Sequence, residues 1–365
     1  METIFSINDR WKLCKYACFL GCITLFFILN HNHQSSNLLT QQNWGVSRTS
    51  TNVSATNLQV SETSSALGNK KQPSTDHEEE KCNMFEGKWI YNPEGSPLYN
   101  GSQCPFLGEQ VSCRKNGRPD FDYEKWSWEA KGCKIPRAKE YNCSVEFYWS
   151  PFLVQLEVNK ASGDRILRLD KLSDSAKKWQ GADIMVFNTG HWWVHRGKLQ
   201  AWDLFQNKGK LVEKMETEKA LGMAMETWSS WIDRNVDSNK TSVFFRSISP
   251  EHKGKQWCYN KTQPIIDDSY VATFPDKMIR IVERTIQGMK TPVTYLNITN
   301  LSRYRRDAHS SIYRTKQGKT LIAMKQKQPE SFADCSHWCL PGLPDTWNRL
   351  LLALFLKTSK ELSIS

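Results

Sequence analysis

Asp183-Ile184-Met185-Val186-Phe187-Asn188 is a short, unbroken apolar run closed by polar residues at both ends. A run of this length without helical periodicity suits a strand buried in a parallel sheet. It leads directly into Asn188-Thr189-Gly190-His191-Trp192-Trp193, a polar and aromatic strand end. From Glu216 to Val236, Ala220, Ala224, Trp228, Trp231 and Ile232 recur at helical spacing. A second strand is expected at Thr241 to Phe245, running into Arg246-Ser247-Ile248-Ser249-Pro250-Glu251-His252. Pro275 to Gln287 reads as a helix with Ile279, Val282 and Ile286 on one face and proline near its start. Val293 to Ile298 is a third strand, and a last helix is expected from about Asp345 to Leu356. Strand-helix-strand-helix-strand makes this an α/β chain with a parallel sheet flanked by helices. Functional side chains are then expected at the carboxyl edge of the sheet.

Upstream of this core the composition changes twice. Residues 82–143 are rich in Cys, Trp and Gly with weak periodicity, and read as a loop-rich, disulfide-stapled N-terminal lobe preceding residues 144–358. Residues 31–80 are rich in Ser, Thr, Asn and Gln with almost no aliphatic clusters, so they cannot offset their ordering entropy and read as a disordered stem. Residues 1–30 contain the apolar stretch Cys14 to Leu29, with Arg10 and Lys12 before it and Lys15 at its start. No small-x-small cleavage site follows it, which favours an uncleaved signal anchor with a cytosolic N-terminus over a removed signal peptide. The expected topology is single-pass type II, with the body in the lumen.

Of eleven cysteines, three lie in the anchor and eight in the body, an even number that reads as four disulfides in an oxidising compartment. Their connectivity stays open at this point. No C-x-x-C pair occurs, so no zinc or other metal site is expected. Sequons at Asn52, Asn100, Asn142, Asn239, Asn260, Asn297 and Asn300 fit a secretory glycoprotein. The net charge of +11 is spread along the chain and no nucleic-acid module accompanies it, so nucleic acid is excluded as a partner. Fifteen Trp supply either a large core or a groove that stacks sugar rings.

One local constellation carries chemistry. In Asp334-Cys335-Ser336-His337-Trp338-Cys339-Leu340-Pro341-Gly342-Leu343-Pro344-Asp345-Thr346-Trp347-Asn348, Asp334 and His337 are spaced i, i+3. On a tight turn the carboxylate can accept the imidazole Nδ1 proton, leaving Nε2 free as a base toward a hydroxyl nucleophile. A surface Asp and an ordinary His is the competing reading of so short a motif.

This run resembles the C-terminal block of the trichome birefringence-like family of plant polysaccharide O-acetyltransferases. The stretches CNMFEGKWIYNPEGSPLYNGSQCPF (82–106), GRPDFDYEKWSWEAKGCKIPR (117–137), NTGHWW (188–193) and RRDAHSSIYR (305–314) resemble the same family in collinear order across 82–358. The resemblance implies a PC-esterase, SGNH-hydrolase-like fold and an acyl-serine mechanism in which Asp334 and His337 complete a Ser-His-Asp triad. It implies Asn188 as an oxyanion donor and His191, Trp192 and Trp193 as the lining of an acceptor groove, with Arg305, Arg306, Asp307 and His309 shaping the cleft. The disulfides it implies are Cys82–Cys133, Cys104–Cys143, Cys113–Cys339 and Cys258–Cys335. No cofactor is implied; acetyl-CoA or an acetylated intermediate would serve as co-substrate, and a Golgi membrane and a wall polysaccharide such as xylan, mannan or pectin as partners.

The chain departs from the family pattern at one point. A Gly-Asp-Ser block, whose Ser is the nucleophile, is expected after the Cys133 to Arg137 segment, yet Arg137 is followed at once by Ala138-Lys139-Glu140-Tyr141-Asn142-Cys143. The similar string Ser162-Gly163-Asp164 has the reversed order and a different collinear position. The first core strand and the helix after it are therefore expected to be deleted, and the chain to be inactive. A non-catalytic lumenal glycan-binding or regulatory protein, and an acetyl esterase on the same fold, are the alternatives.

Overall fold

The structure, a computed structural model, describes residues 82–105, 107–135, 145–254, 257–266 and 276–362. The expected anchor (1–30), the stem (31–80), Cys143 and the Arg137–Ala138 junction lie outside the described residues. Among the described residues no helix is long and apolar enough to cross a membrane. Residues 195–201 group apart from the rest and hold one short 3₁₀ turn at Gly197–Leu199.

The α/β expectation holds. Strands β5 (Ile184–Phe187), β8 (Ser242–Arg246) and β9 (Val293–Leu296) form a parallel sheet in the order β5-β8-β9. Helix α1 (Thr217–Asn235) links β5 to β8 in sequence, and α2 (Asp276–Gln287) precedes β9. The periodicity of α1 is used as expected: Ala220, Leu221, Ala224, Met225, Trp228 and Ile232 are buried. Trp228 meets Phe245 at 5.1 Å and Phe187 at 5.4 Å, pinning the helix across two strands. Truncating Trp228 to alanine removes this wedge from a fully buried site, and we expect about 3–5 kcal/mol lost in denaturant unfolding. In α2 the most buried residues are Met278 and Val282, while Ile279 and Ile286 are half-buried, so its inward face is rotated from the expected one. The last helix, α3, runs Leu343–Leu362 and is longer than expected.

A second, four-stranded sheet, ordered β3-β4-β6-β7, was not anticipated. It comprises β3 (Val154–Val158), β4 (Arg165–Leu172), β6 (Leu204–Asn207) and β7 (Lys210–Val212). Two of these strands are only three or four residues long, too short to carry a readable alternation. Ser162 sits at the tip of the β3–β4 hairpin beside Gly163 (φ +79°), not at a strand-to-helix elbow.

The N-terminal lobe contains an antiparallel pair, β1 (Asn83–Tyr91) and β2 (Trp126–Lys131), closed by the Cys82–Cys133 disulfide. It does not bury a core of its own. Cys113, Tyr123, Trp128 and Ala130 share one apolar cluster with Leu296, Ile298, Leu301, Trp338, Leu343 and Trp347. Trp89 donates its indole N–H to the Leu301 carbonyl at 2.8 Å, and Asn116 bonds the Tyr313 carbonyl at 2.7 Å. The lobe is thus bound to the C-terminal block by core packing, hydrogen bonds and the Cys113–Cys339 disulfide. Cys258–Cys335 is formed as well. Of the fourth implied pair, Cys143 is outside the described residues and Cys104 is a half-buried free thiol.

Strand β5 is unusual for a parallel sheet. Its inward residues Met185 and Phe187 are buried, but Ile184 and Val186 on the opposite face are 39% and 44% exposed, and among the described residues no strand pairs with its outer edge. Parallel sheets are ordinarily covered on both faces. Val145, Phe147 and Trp149 are likewise exposed, at 90%, 73% and 60%.

Candidate active site

The site gathers at the carboxyl ends of β5 and β8 and at a short antiparallel pair, β10 (His309–Ser311) and β11 (Asp334–Trp338). Asp334 and His337 lie in β11, not on the free turn the sequence suggested. In a regular strand i and i+3 point to opposite faces. Here Ser311 pairs with Asp334 and His309 with Trp338, so residues 335–337 oppose Ser310 alone. This bulge folds the strand back on itself and brings the two side chains together.

The result is a tight hydrogen-bonded pair. His337 Nδ1 lies 2.8 Å from Asp334 Oδ2, while Asp334 Oδ1 accepts the backbone N–H groups of Ser336 and His337 at 3.0 Å each. The carboxylate side chain is 9% exposed and the imidazole 58%, so the base faces outward from a fixed acid. Burial alone would raise the Asp334 pKa, but the hydrogen bonds from His337 and the backbone hold it well below the usual carboxylate range. The hydrogen bond to Asp334 lifts His337 above the ordinary histidine value, against burial and the Arg314 charge. Among the described residues, no hydroxyl hydrogen-bonds to Nε2 of His337.

These shifts carry opposite pH signs. Asp334 titrates lower in the fold than the ordinary value of about 3.9, so its contribution is present above that pH and is lost as pH falls through its folded value. His337 titrates higher than about 6.5, so its contribution is complete below that pH and disappears as pH rises through its folded value. Asp334→Asn removes the partner of both, and the His337 ring is expected to titrate lower than in the parent chain. An NMR titration of the imidazole checks this.

His191 joins the site. Its pKa is pushed down to about 4 by burial, with Glu251 opposing and Arg246 and His337 adding to the shift. Arg246, Glu251 and His337 thus all act on the charge of His191. Asn188 is exposed just beyond the end of β5. Gly190 keeps the strand end close to the neighbouring loop: a Cβ there would stand 2.1 Å from Ile248 Cδ1. Trp192 is half-buried and meets Trp149 edge-on at 5.6 Å, and Phe147 lies 6.2 Å beyond Trp149. The result is a partly exposed aromatic row that the sequence reading caught only at Trp192.

Four residues expected to line or shape the cleft are buried: Trp193, Arg305, Asp307 and His309. Trp193 is fully buried, packs edge-on to Phe152 at 5.2 Å, and donates its indole N–H to Thr189 Oγ1. Arg305 is 1% exposed, ion-paired with Asp307 at 2.9 Å, bonded to the Tyr123 carbonyl at 2.6 Å and stacked over Trp89. His309 is 1% exposed and stacks on Trp338 at 3.7 Å. Arg305 is buried where the lobe packs onto the C-terminal block, His309 against Trp338, and Trp193 against Phe152 and Trp202, contacts between separate segments that local sequence does not report. Among the described residues, no group of His, Cys, Asp and Glu is arranged to hold a metal ion.

Residues 115–354 match the PC-Esterase family, described as a GDSL/SGNH-like acyl-esterase family found in Pmr5 and Cas1p, and residues 80–134 match the PMR5 N terminal domain. The chain is 38% identical to protein trichome birefringence-like 3 of Arabidopsis thaliana over 343 aligned positions, covering 75% of this chain and 79% of that protein. The chain belongs to the trichome birefringence-like family. It is also 38% identical to trichome birefringence-like 1 of Arabidopsis thaliana, over 75% of this chain and 61% of that longer protein. To probable xylan O-acetyltransferase 10 of Oryza sativa subsp. japonica it is 34% identical, over 74% of this chain and 77% of the relative. As a family member it pairs the esterase-type α/β body with a PMR5-type N-terminal lobe, and the Asp334–His337 contact sits in that body.

Proposed function

We propose that this chain is built as a lumenal Golgi O-acetyltransferase of cell-wall polysaccharide, and that in this form it lacks the nucleophile and does not turn over. The observation that carries the first half is the Asp334–His337 pair, with a buried acid and an outward-facing imidazole, beside relatives named as probable xylan O-acetyltransferases. In the complete reaction a serine Oγ attacks the acetyl carbonyl of the donor and its proton passes to His337 Nε2. The donor's leaving group departs with that proton, leaving acetyl-serine. A polysaccharide hydroxyl then attacks the acyl group, gives its proton to His337, and the serine is regenerated on return of that proton. Asn188 would donate to the oxyanion in both steps.

Three observations support the missing nucleophile. No Gly-Asp-Ser string occurs in the chain. The alignment to trichome birefringence-like 3 runs over 343 positions but takes in 75% of the 365 residues here, about 274, leaving about 70 positions opposite no residue of this chain. Among the described residues strand β5 has no partner on its outer edge and one apolar face exposed, as expected where a neighbouring strand and helix are wanting. The N-terminal signal anchor and lumenal topology complete the reading; resistance of the body to protease in sealed microsomes tests them.

The full chain, incubated with acetyl donor and xylan, mannan or pectin oligosaccharides, is expected to transfer no acetyl group and to escape labelling by a fluorophosphonate probe. Transfer or labelling would overturn the inactive reading. The aromatic row Phe147–Trp149–Trp192 favours glycan binding without turnover as a second reading. Calorimetric binding of an oligosaccharide, abolished by Trp192→Ala, would establish it; no heat at millimolar ligand would sink it.

A further inference from the structure

The acyl-transfer reading uses Asp334 and His337 and leaves two buried histidines behind them without a role. His309 Nδ1 lies 2.9 Å from the His337 carbonyl oxygen, and His309 Nε2 lies 2.7 Å from His252 Nδ1. His252 Nε2 in turn lies 2.7 Å from the Arg303 carbonyl oxygen. His252 is 0% and His309 1% exposed. Trp338 stacks on His309 and lies edge-on to His252 at 6.0 Å, walling both rings from water. The His252 backbone N–H also donates to the Cys335 carbonyl, tying the dyad to the β11 bulge from a second side.

Counting protons along this chain gives an unusual answer. A carbonyl only accepts, so each ring nitrogen facing one must carry a proton. The central nitrogen–nitrogen contact needs one proton more. That makes three, whereas two neutral imidazoles carry two between them. A neutral pair therefore leaves one of the three short contacts with lone pair facing lone pair, in a setting too dry for water to relieve it.

The surrounding charges divide. Asp307 favours a charge on His252, and Asp334 favours one on His309. Against them stand burial, Arg306 beside His252, and His337 beside His309. Arg118 donates to the His309 carbonyl at 3.0 Å and to the Asp307 carbonyl at 2.7 Å, while Arg305 is already neutralised by the Asp307 carboxylate. Burial is the largest influence on both rings and draws them below the ordinary histidine range, His252 to about 4.

We propose that His252 and His309 are positioning residues that bind a third, shared proton in acid, and that this proton anchors the His337 main chain behind the Asp334–His337 contact. The proton comes from solvent as pH falls and returns to it as pH rises; only N–H bonds form or break. When it leaves, one of the three contacts opens, so the ring that faces the His337 carbonyl is no longer held at both of its nitrogens. The positioning role rests on the reading of His337 as the base. The His337 ring itself titrates above the ordinary value because of Asp334, so the two events fall in separate pH ranges.

The test is an NMR titration of the full chain from pH 8 down to about pH 2, well past the depressed His252 value, with ¹³C,¹⁵N-histidine labelling assigned with His309→Asn and His252→Gln. The expected result is uptake of one proton by the His252–His309 pair below neutrality, with the His337 carbonyl shift following the same curve. His309→Asn keeps an amide donor toward the His337 carbonyl but presents no ring nitrogen to His252. In that variant the acid step is expected to vanish while the carbonyl shift stays at its acid-limit value throughout. Rings fixed as neutral tautomers over the whole range would overturn the proposal. So would a pair that titrates with no response at His337. A His337 ring that titrates at or below the ordinary histidine value would instead count against the base reading, leaving the shared proton untouched. The parent-chain titration decides the matter if a variant fails to fold.

Discussion

Arg305→Ala is expected to destabilise the protein by about 3–5 kcal/mol, among the largest effects of any single side chain outside the sheet core. The guanidinium and its partner Asp307 are 1% and 0% exposed as side chains, so removing the cation strands a carboxylate without water. The Tyr123 carbonyl loses a 2.6 Å donor, and Trp89 loses the cation stacked 4.5 Å above its ring. All three losses fall on the joint between the N-terminal lobe and the C-terminal block. A buried ion pair as such does not guarantee stability, because desolvation offsets the attraction. The double variant Arg305→Met/Asp307→Leu is therefore expected to recover much of the loss, since no bare charge remains. Guanidinium unfolding of the parent and the two variants measures both effects. A single-variant loss under about 1 kcal/mol would show that the joint is held by apolar packing alone.

The second large effect is expected from removing the Cys113–Cys339 disulfide as the alanine pair, at about 2–5 kcal/mol. Its half-cystines are 226 residues apart, so the bond restrains nearly the whole described chain in its unfolded state. On the loop-entropy account the Cys82–Cys133 bond, spanning 51 residues, should contribute about 1 kcal/mol less. The Cys339 sulfur also lies 3.3 Å from Arg118, whose guanidinium reaches the His309 and Asp307 carbonyls. Loss of the disulfide should thus loosen the backing of the active-site strand as well as the fold. Unfolding midpoints of the two paired variants, compared under oxidising conditions, give the ranking. Equal losses would place the stabilisation in native contacts, since chain entropy predicts a difference.

How far the site was readable follows from where its determinants lie. Asp334 and His337 are three residues apart, and their pairing needs only a local kink, so their spacing was informative. Trp192 and Trp193 are neighbours with opposite fates: the first meets Trp149 at the surface and the second fills the core against Phe152. They share one 3₁₀ turn, His191–Val194, whose facing depends on what packs beneath it. Arg305 and His309 sit in a charged, polar run that reads as a cleft wall, yet Tyr123, Trp89 and Trp338 bury them. The four-stranded sheet escaped notice because its strands are short and its parallel partner strands, β4 and β6, are separated by the β5 segment.

The alternation of apolar runs and helical faces between Asp183 and Ile298 was enough to establish a parallel α/β core, because periodicity is a local property written into consecutive residues. The Asp334–His337 pair was visible for the same reason, whereas the odd junction at Arg137–Ala138 stood out only against the pattern of the family the chain resembles. Tertiary structure alone decided which polar residues are buried, how the lobe and the C-terminal block share one core, and that His309 stands behind His337 with His252 at its back. Those outcomes join residues tens to hundreds of positions apart. They arise from burial of apolar surface across the whole chain, which no single stretch of it encodes.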